Sequence, residues 1–305
     1  MQAAKPLITA IIPTYRRSRL LQRAVRSVLA QAYGHLQVIV YDNASNDDTA
    51  ATIATLARED PRVKYFCHPE NVGPVANFAF GMEHVETPYF SMLSDDDYYH
   101  PEFYATALDG FMRYPDAMFS AGTTVLAYEN GGVQIGTPVD GYFPPPNGFL
   151  VWTWGKGPAV TSVVFRRDII ARVGVVVADK RIFHWDVEYL WRIASQFPFV
   201  TSARPGLVFT IHTAQGTRHM AMGAALQSYE LIRDRVQNAP GPSAEVRAKT
   251  GQFLRAWFSQ AVLHAGLRAI RDGEGQRGQY AATILHNGFG QKRRATILSL
   301  LAQLP

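Results

Sequence analysis

Short apolar runs alternate with stretches of helical spacing along the first half of the chain. Leu7 to Ile12 is apolar and β-branched and runs into Pro13-Thr14-Tyr15, which predicts a buried strand ending in a loop. From Leu20 onward Leu21, Ala24, Val25, Val28 and Leu29 recur at helical spacing, while Arg19, Gln22, Arg23 and Arg26 fall on other faces; an amphipathic helix follows. Leu36 to Tyr41 repeats the strand signal. Ser45, with Asp48 three residues on, predicts a capping box opening a helix that carries Ile53, Leu56 and Ala57. Val63 to Phe66, Pro74 to Val85 and Tyr89 to Leu93 then read as strand, helix and strand, the last stopping at Ser94-Asp95-Asp96-Asp97. Such alternation implies a largely parallel sheet flanked by helices, an α/β fold. Ligands of these sheets settle outside the carboxyl ends of the strands, and Thr14 to Arg17, Asp42 to Ser45 and Asp95 to Asp97 all follow strands. Three polar clusters are therefore expected on one rim.

The pattern changes at residues 128–160, where GYFPPPNGFLVWTWGKGP is too irregular for a regular element and too aromatic for a linker. An ordered, substrate-facing loop is expected there. Val160 to Phe165 resumes strand character, a short helix follows Arg167, Asp186 to Ser195 has helical spacing, and Leu207 to Ile211 is strand-like. Beyond Ala221 the chain reads as mostly helical, with Val246 to Ile270, Tyr280 to Leu285 and Ala295 to Leu304 following the Pro240-Gly241-Pro242 break.

Composition narrows the classes. A chain of 305 residues that is 47% hydrophobic and 18% charged can bury a substantial core. No window approaches the roughly 20 apolar residues of a membrane span, and MQAAKPLITAIIP lacks a cleavable-signal pattern, so a cytoplasmic protein is expected. Cys67 is the only cysteine, which excludes an internal disulfide and a cysteine metal cluster. The +5 charge is modest, but basic residues gather at Arg16 to Arg26 and Lys292 to Arg294, patches that suit phosphates or anionic surfaces. Nucleic acid would call for a stronger basic stripe or a known module, and neither is present. The first turn is PTYRRS and not G-x-G-x-x-G, which removes a dinucleotide oxidoreductase, and no glycine-rich phosphate loop supports a sugar nucleotidyltransferase. A noncatalytic carbohydrate-binding module would keep the aromatics but have no use for Asp186 or the Asp run.

Three adjacent carboxylates repel one another unless solvent or a cation relieves them. Oxygen ligands suit Mg²⁺ or Mn²⁺, which combine one or two carboxylates with substrate phosphates; the same run also reads as an acidic loop capping the helix after Pro101-Glu102. Trp152 and Trp154, beside Gly155-Lys156-Gly157, suit stacking on an acceptor sugar or packing in a core. The segments LITAIIPTYRR, VIVYDNASNDDT, NVGPVANFAFG and PYFSMLSDDDYYHPEF stand in that order at regular intervals. Together they resemble glycosyltransferase family 2, inverting nucleotide-sugar transferases of the GT-A fold.

The resemblance implies a GT-A-like domain over residues 1–220, with a nucleotide-binding half at about 1–125, an acceptor half at about 126–220, and a helical region at 221–305. It places the nucleotide sugar, UDP- or dTDP-linked, on Pro13, Thr14, Tyr15, Arg17, Asp42, Asn71, Asp95 and Asp96, with Asp42 toward the base. It puts Mn²⁺ or Mg²⁺ on Asp96, with Asp97 either a second ligand or a structural carboxylate, and His212 completing the metal or diphosphate site. HWDVEYLWRIA is similar to the family's catalytic segment, which assigns the general base to Asp186 and a supporting role to Glu188; two residues apart on a helix, the pair does not share a face. Departures are Ser94 where relatives carry an acid, Asn43 where many carry a second acid, and Trp185 in place of the usual first acid. The expected acceptor is a glycan, a lipid-linked glycan or a small-molecule hydroxyl, in bacterial polysaccharide or lipopolysaccharide assembly. The tail QKRRATILSLLAQL suits anionic lipid on the inner face of a membrane, packing on the domain, or a contact between copies, and the sequence leaves these open.

Overall fold

The structure is a computed structural model describing residues 7–136, 139–145, 158–179, 182, 184–212, 222–238 and 243–303. Those residues fall in two compact units, one drawn from Met1–Ala178 and Trp185–His212, the other from Asp179–His184 and Thr213–Pro305.

The first unit is built on one mixed sheet. Its centre is β1 (Ile8–Thr14), buried along its whole length as expected of a parallel strand covered on both faces. β2 (Leu36–Asp42) and β4 (Tyr89–Met92) flank it in parallel, and β3 (Val63–Cys67) lies parallel outside β2. The sheet is extended by β5 (Tyr98–Tyr99), β6 (Phe119–Tyr128), β9 (Val163–Arg166) and β10 (Phe199–Ile211), in the order β3-β2-β1-β4-β9-β6-β10-β5. β9 is antiparallel to both neighbours and β5 is antiparallel to β10, so β6 and β10 point the same way as β1. β7 (Val133–Ile135) joins β6, and β8 (Gly141–Phe143) joins β10.

Helices cover the sheet according to the two-residue alternation of β1. α1 (Ser18–Leu29) buries Leu21, Ala24, Val25 and Val28 in the cluster that contains Ile8, Ala10 and Ile12. Ile11 points the other way and meets α3 (Pro74–Glu83) so closely that a Cβ on Gly81 would lie 2.5 Å from its Cγ2. α2 (Thr49–Glu59), α4 (Phe103–Arg113), α5 (Asp168–Val173) and α6 (Trp185–Ala194) complete this unit. In the second unit α7 (Met222–Asn238), α8 (Ala244–Arg271), α9 (Gly275–Asn287) and α10 (Lys292–Leu301) bury Ile232, Leu254, Phe258, Val262, Leu285, Phe289 and Leu298. Among the described residues no helix is long and apolar enough to cross a membrane.

Two local expectations give way, and one strand forms where no assignment was made. The capping box does not form: Ser45 turns its N–H and hydroxyl onto Asp42, and Asp47 Oδ1 accepts the Thr49 N–H at 2.9 Å. The stretch expected to be loop contains β7 and β8, because its extended segments find partners on β6 and β10. β6 itself lacks a strand pattern, having Ser120, Ala121 and Gly122 at its buried end. Small residues are needed there: a Cβ on Gly122 would sit 2.7 Å from the Cα of Gly206. The β6–β10 register shifts on either side of Pro205, which has no ladder N–H to give.

Candidate active site

Four elements deliver polar groups to the carboxyl-end rim: the end of β1, the loop before α1, the turn between β4 and β5, and the end of β10. Thr14, the last residue of β1, is buried, and its hydroxyl donates to Asp95 Oδ2 at 2.8 Å. The backbone then turns through Arg16, at φ 56, whose N–H donates to Ser45 Oγ at 2.9 Å. That turn sends Arg17 back over the acidic run. One of its terminal nitrogens donates to Asp95 Oδ1 at 3.2 Å and to Asp96 Oδ2 at 2.7 Å. His212, one residue past β10, brings Nε2 to 3.0 Å from the same Asp96 oxygen. Thr14, Arg17, Asp95, Asp96 and His212 therefore form one connected group.

Burial dominates the electrostatics. It pushes the Asp95 carboxyl up to about 6; Arg17 and the Thr14 hydroxyl pull it down, and the Asp96 charge pushes it further up. Asp97 is fully buried and held well above the ordinary carboxylate range, by burial first and then by Asp96. Its Oδ1 accepts the Thr210 N–H at 2.9 Å, and its Oδ2 is buried without a hydrogen-bond partner. Asp97 Oδ1 thus fastens the acidic turn to β10. Among the described residues no three His, Cys, Asp or Glu side chains are grouped as ligands.

Asp42 ends β2 and is nearly inaccessible. Its Oδ1 accepts from the Ser45 N–H at 3.0 Å and hydroxyl at 2.5 Å, and its Oδ2 accepts from the Tyr65 hydroxyl at 2.7 Å. Asn71 is exposed, but its Oδ1 accepts from Asn43 Nδ2 at 3.0 Å and from the Gly73 N–H at 2.9 Å. Gly73, at φ 89, then admits the chain to α3, with Pro74 at the first helical turn. Pro13 is buried in β1, and Tyr15 is 39% exposed with the Arg16 guanidinium 5.0 Å over its ring.

Asp186 and Glu188 open α6 and part company. Asp186 is half-buried, and burial raises its carboxyl while the Val187 N–H pulls it down. The preceding Trp185 packs its ring 5.0 Å from that of Phe78 on α3. Glu188 is fully buried and takes Arg192 in a two-pronged contact, Nε to Oε1 at 2.9 Å and Nη2 to Oε2 at 3.2 Å. Arg192 also donates to the carbonyls of Val173 and Val175. Trp152 and Trp154 lie outside the described residues.

Periodicity did not reveal two residues that shape this rim, Arg23 and Tyr65. Arg23 reaches from α1 to the carbonyl of Asp96 and, at 2.9 Å, to Thr210 Oγ1, while Ser45 and Tyr65 enclose Asp42. In the sequence Arg23 is one polar position among several on an exposed helix face, and Tyr65 is an ordinary strand aromatic.

The family model for glycosyl transferase family 2 matches residues 9–170, which include β1 to β4, the acidic turn and β9. A β-1,3-glucosyltransferase from Campylobacter jejuni, named for the acceptor GalNAc(5)-diNAcBac-PP-undecaprenol, is 34% identical over 93 residues, 30% of either chain. A putative teichuronic acid biosynthesis glycosyltransferase, TuaG of Bacillus subtilis, is 27% identical over 142 residues, 47% of this chain and 54% of its own. The chain thus spans under a third of the first relative and about half of the second. Among solved structures, residues 1–349 of S. aureus TarS with UDP superpose at a TM-score of 0.67, with 14% identity, covering 97% of this chain and 90% of that one. The mannosyltransferase PcManGT of Pyrobaculum calidifontis, with GDP-Man and Mn²⁺, gives 0.55 at 15% identity, covering 98% and 86%. The fold is therefore GT-A-like, a mostly parallel sheet with flanking helices and a C-terminal helical region. With the model spanning more than half of the chain, and its matched segment supplying Thr14, Arg17 and the acidic turn, this chain belongs to glycosyl transferase family 2.

Proposed function

We propose that this chain transfers a sugar, with inversion, from a UDP- or dTDP-linked donor to the hydroxyl of a glycan or lipid-linked glycan in bacterial surface-polymer assembly. One observation carries the reading: Arg17 and His212 meet on a single oxygen of Asp96, beside Asp95 and Thr14, at the carboxyl-end rim. A carboxylate, an imidazole and a guanidinium at one point suit a diphosphate with its counter-ion.

The donor set fits Mn²⁺ or Mg²⁺. Asp96 and His212, whose Oδ2 and Nε2 stand 3.0 Å apart, are the residues that would hold such an ion, a carboxylate and an imidazole both suiting it. When bound, such an ion offsets the charge that develops on the departing diphosphate. Arg17, already across Asp95 and Asp96, supplies a second positive charge at that place. Asp95 and Thr14 orient the nucleotide side, with Asn71 and Tyr15 on the exposed margin of the same rim.

Asp186 acts as general base. The acceptor oxygen bonds to the anomeric carbon, the bond from that carbon to the diphosphate oxygen breaks, and the acceptor proton passes to the Asp186 carboxylate. Burial strengthens that carboxylate as a base. Glu188, locked to Arg192, holds the first turns of α6 in place. The lipid-linked acceptor class follows the name of the C. jejuni relative, and Trp152 and Trp154 are assigned to stack on the acceptor sugar. A cytoplasmic site of action is consistent with the lone Cys67.

The test is calorimetric titration of UDP, dTDP and GDP with and without Mn²⁺, followed by donor hydrolysis and transfer assays. Binding of one nucleotide that requires Mn²⁺ and is lost in Asp96→Ala is the expected result. Metal-independent binding, or unchanged affinity in Asp96→Ala, overturns the assignment.

A further inference from the structure

Charge is divided unequally along this chain. Residues 213–305 carry 12 Lys and Arg against 5 Asp and Glu, a net +7, whereas residues 1–212 are net −2. The helical region therefore holds the entire basic excess of the protein. Within it, α10 has Lys292, Arg293 and Arg294 in its first turn and no acidic residue anywhere. All three basic side chains are exposed, and among the described residues only Arg294 of the three donates a side-chain hydrogen bond, to Gln260 Oε1 at 3.2 Å.

The rest of the helix is amphipathic the wrong way round for a solvated surface. Ala295 and Leu298 face inward, whereas Ile297 and Leu300 are 59% and 60% exposed. They stand four and seven residues beyond Arg293 and so share its face. A single exposed leucine needs no explanation, but two large aliphatic side chains aligned behind a basic cluster form a surface.

We propose that this face of α10 docks on an anionic lipid bilayer, with Ile297 and Leu300 entering the boundary between headgroups and acyl chains and Lys292, Arg293 and Arg294 meeting lipid phosphates. Charge complementarity selects the occupant. A second copy meeting the same face about a two-fold axis would oppose like charges, and a nucleic acid would leave the aliphatic pair in water. The attachment is peripheral and reversible, since two aliphatic side chains and three cations are far less than a spanning helix provides. This inference is independent of the proposed glycosyl transfer.

The experiment is co-sedimentation of the full chain with phosphatidylcholine vesicles and with vesicles of phosphatidylcholine mixed with phosphatidylglycerol. Binding is expected on the mixed vesicles alone, with release at high salt. Each cation contributes roughly a fivefold factor at such a surface, so the triple variant Lys292→Gln, Arg293→Gln, Arg294→Gln should lose roughly a hundredfold in partitioning. Ile297→Ser with Leu300→Ser should lose roughly a hundredfold. Since all five side chains are exposed, the circular-dichroism melt of each variant should match the parent. No binding by the parent chain, or equal binding by parent and triple variant, overturns the proposal. So does concentration-dependent dimerisation that Ile297→Ser abolishes without any vesicle binding, which would give the face to a second copy.

Discussion

Asp186 and Glu188 stand two residues apart on one helix, and burial separates what they can do. Glu188 is fully buried with each oxygen paired to Arg192, so it is not presented to an acceptor. On the proposed mechanism Asp186 is the base, and burial raises the proton affinity of its carboxylate. Asp186→Asn should therefore cut kcat by roughly 10² to 10⁴-fold while leaving the nucleotide Kd unchanged, since the base acts on the acceptor. Single-turnover transfer and calorimetry on the same preparation read both quantities, and parental turnover in the variant would end the assignment. The sign of the pH dependence follows. A base with a raised pKa loses activity as pH falls through that value, so the acid limb of kcat should lie above the ordinary aspartate range.

At the scale of elements, α6 is held by a charge pair placed where water cannot screen it. Glu188 is fully buried, and Arg192 ties it to the Val173 and Val175 carbonyls at the end of α5 and just past it. Removing one partner of a buried pair leaves the other unpaired, at a typical cost of about 3–5 kcal/mol. Arg192→Leu should show that loss in chemical denaturation. Replacing both residues by apolar ones of similar size, Glu188→Leu with Arg192→Met, should recover much of it. If the single variant loses less than about 1 kcal/mol, the pair is not what fixes the start of α6.

Across the whole molecule, the acid response of the helical unit should report a half-buried imidazole. The His184 ring lies edge-on to Trp257 at 5.1 Å and Phe258 at 5.2 Å, and burial lowers its pKa from 6.5 to about 4. Between these values the unfolded chain binds a proton that the folded chain does not, so stability is complete above pH 6.5 and declines as pH falls toward 4. The full loss is roughly 3 kcal/mol at about 1.4 kcal/mol per pH unit. His184→Phe should flatten that segment of the stability-against-pH curve, and an unchanged slope would place the titrating group elsewhere.

The sequence by itself determined the alternation of strands and helices through β4, because burial on both faces of a parallel sheet requires the continuous apolar run of Ile8 to Ile12 and the helical stripe of Leu21 to Val28. It also placed Thr14, Arg17, Asp95, Asp96 and His212 at strand ends, where an α/β sheet presents its ligands. Tertiary structure alone decided which of these groups touch. Asp95, Asp96 and Asp97 are adjacent in the chain, yet Arg17 and His212 come to Asp96 while Asp97 turns to the Thr210 N–H, because successive residues of a tight turn point in different directions. Tertiary structure likewise made a strand of β6, whose small residues carry no periodic signal and acquire meaning only where Gly122 and Gly206 let two backbones meet. Local pattern reports what each segment must bury; the pairing of polar groups depends on chain crossings that bring residues 79 to 116 positions apart within hydrogen-bond reach.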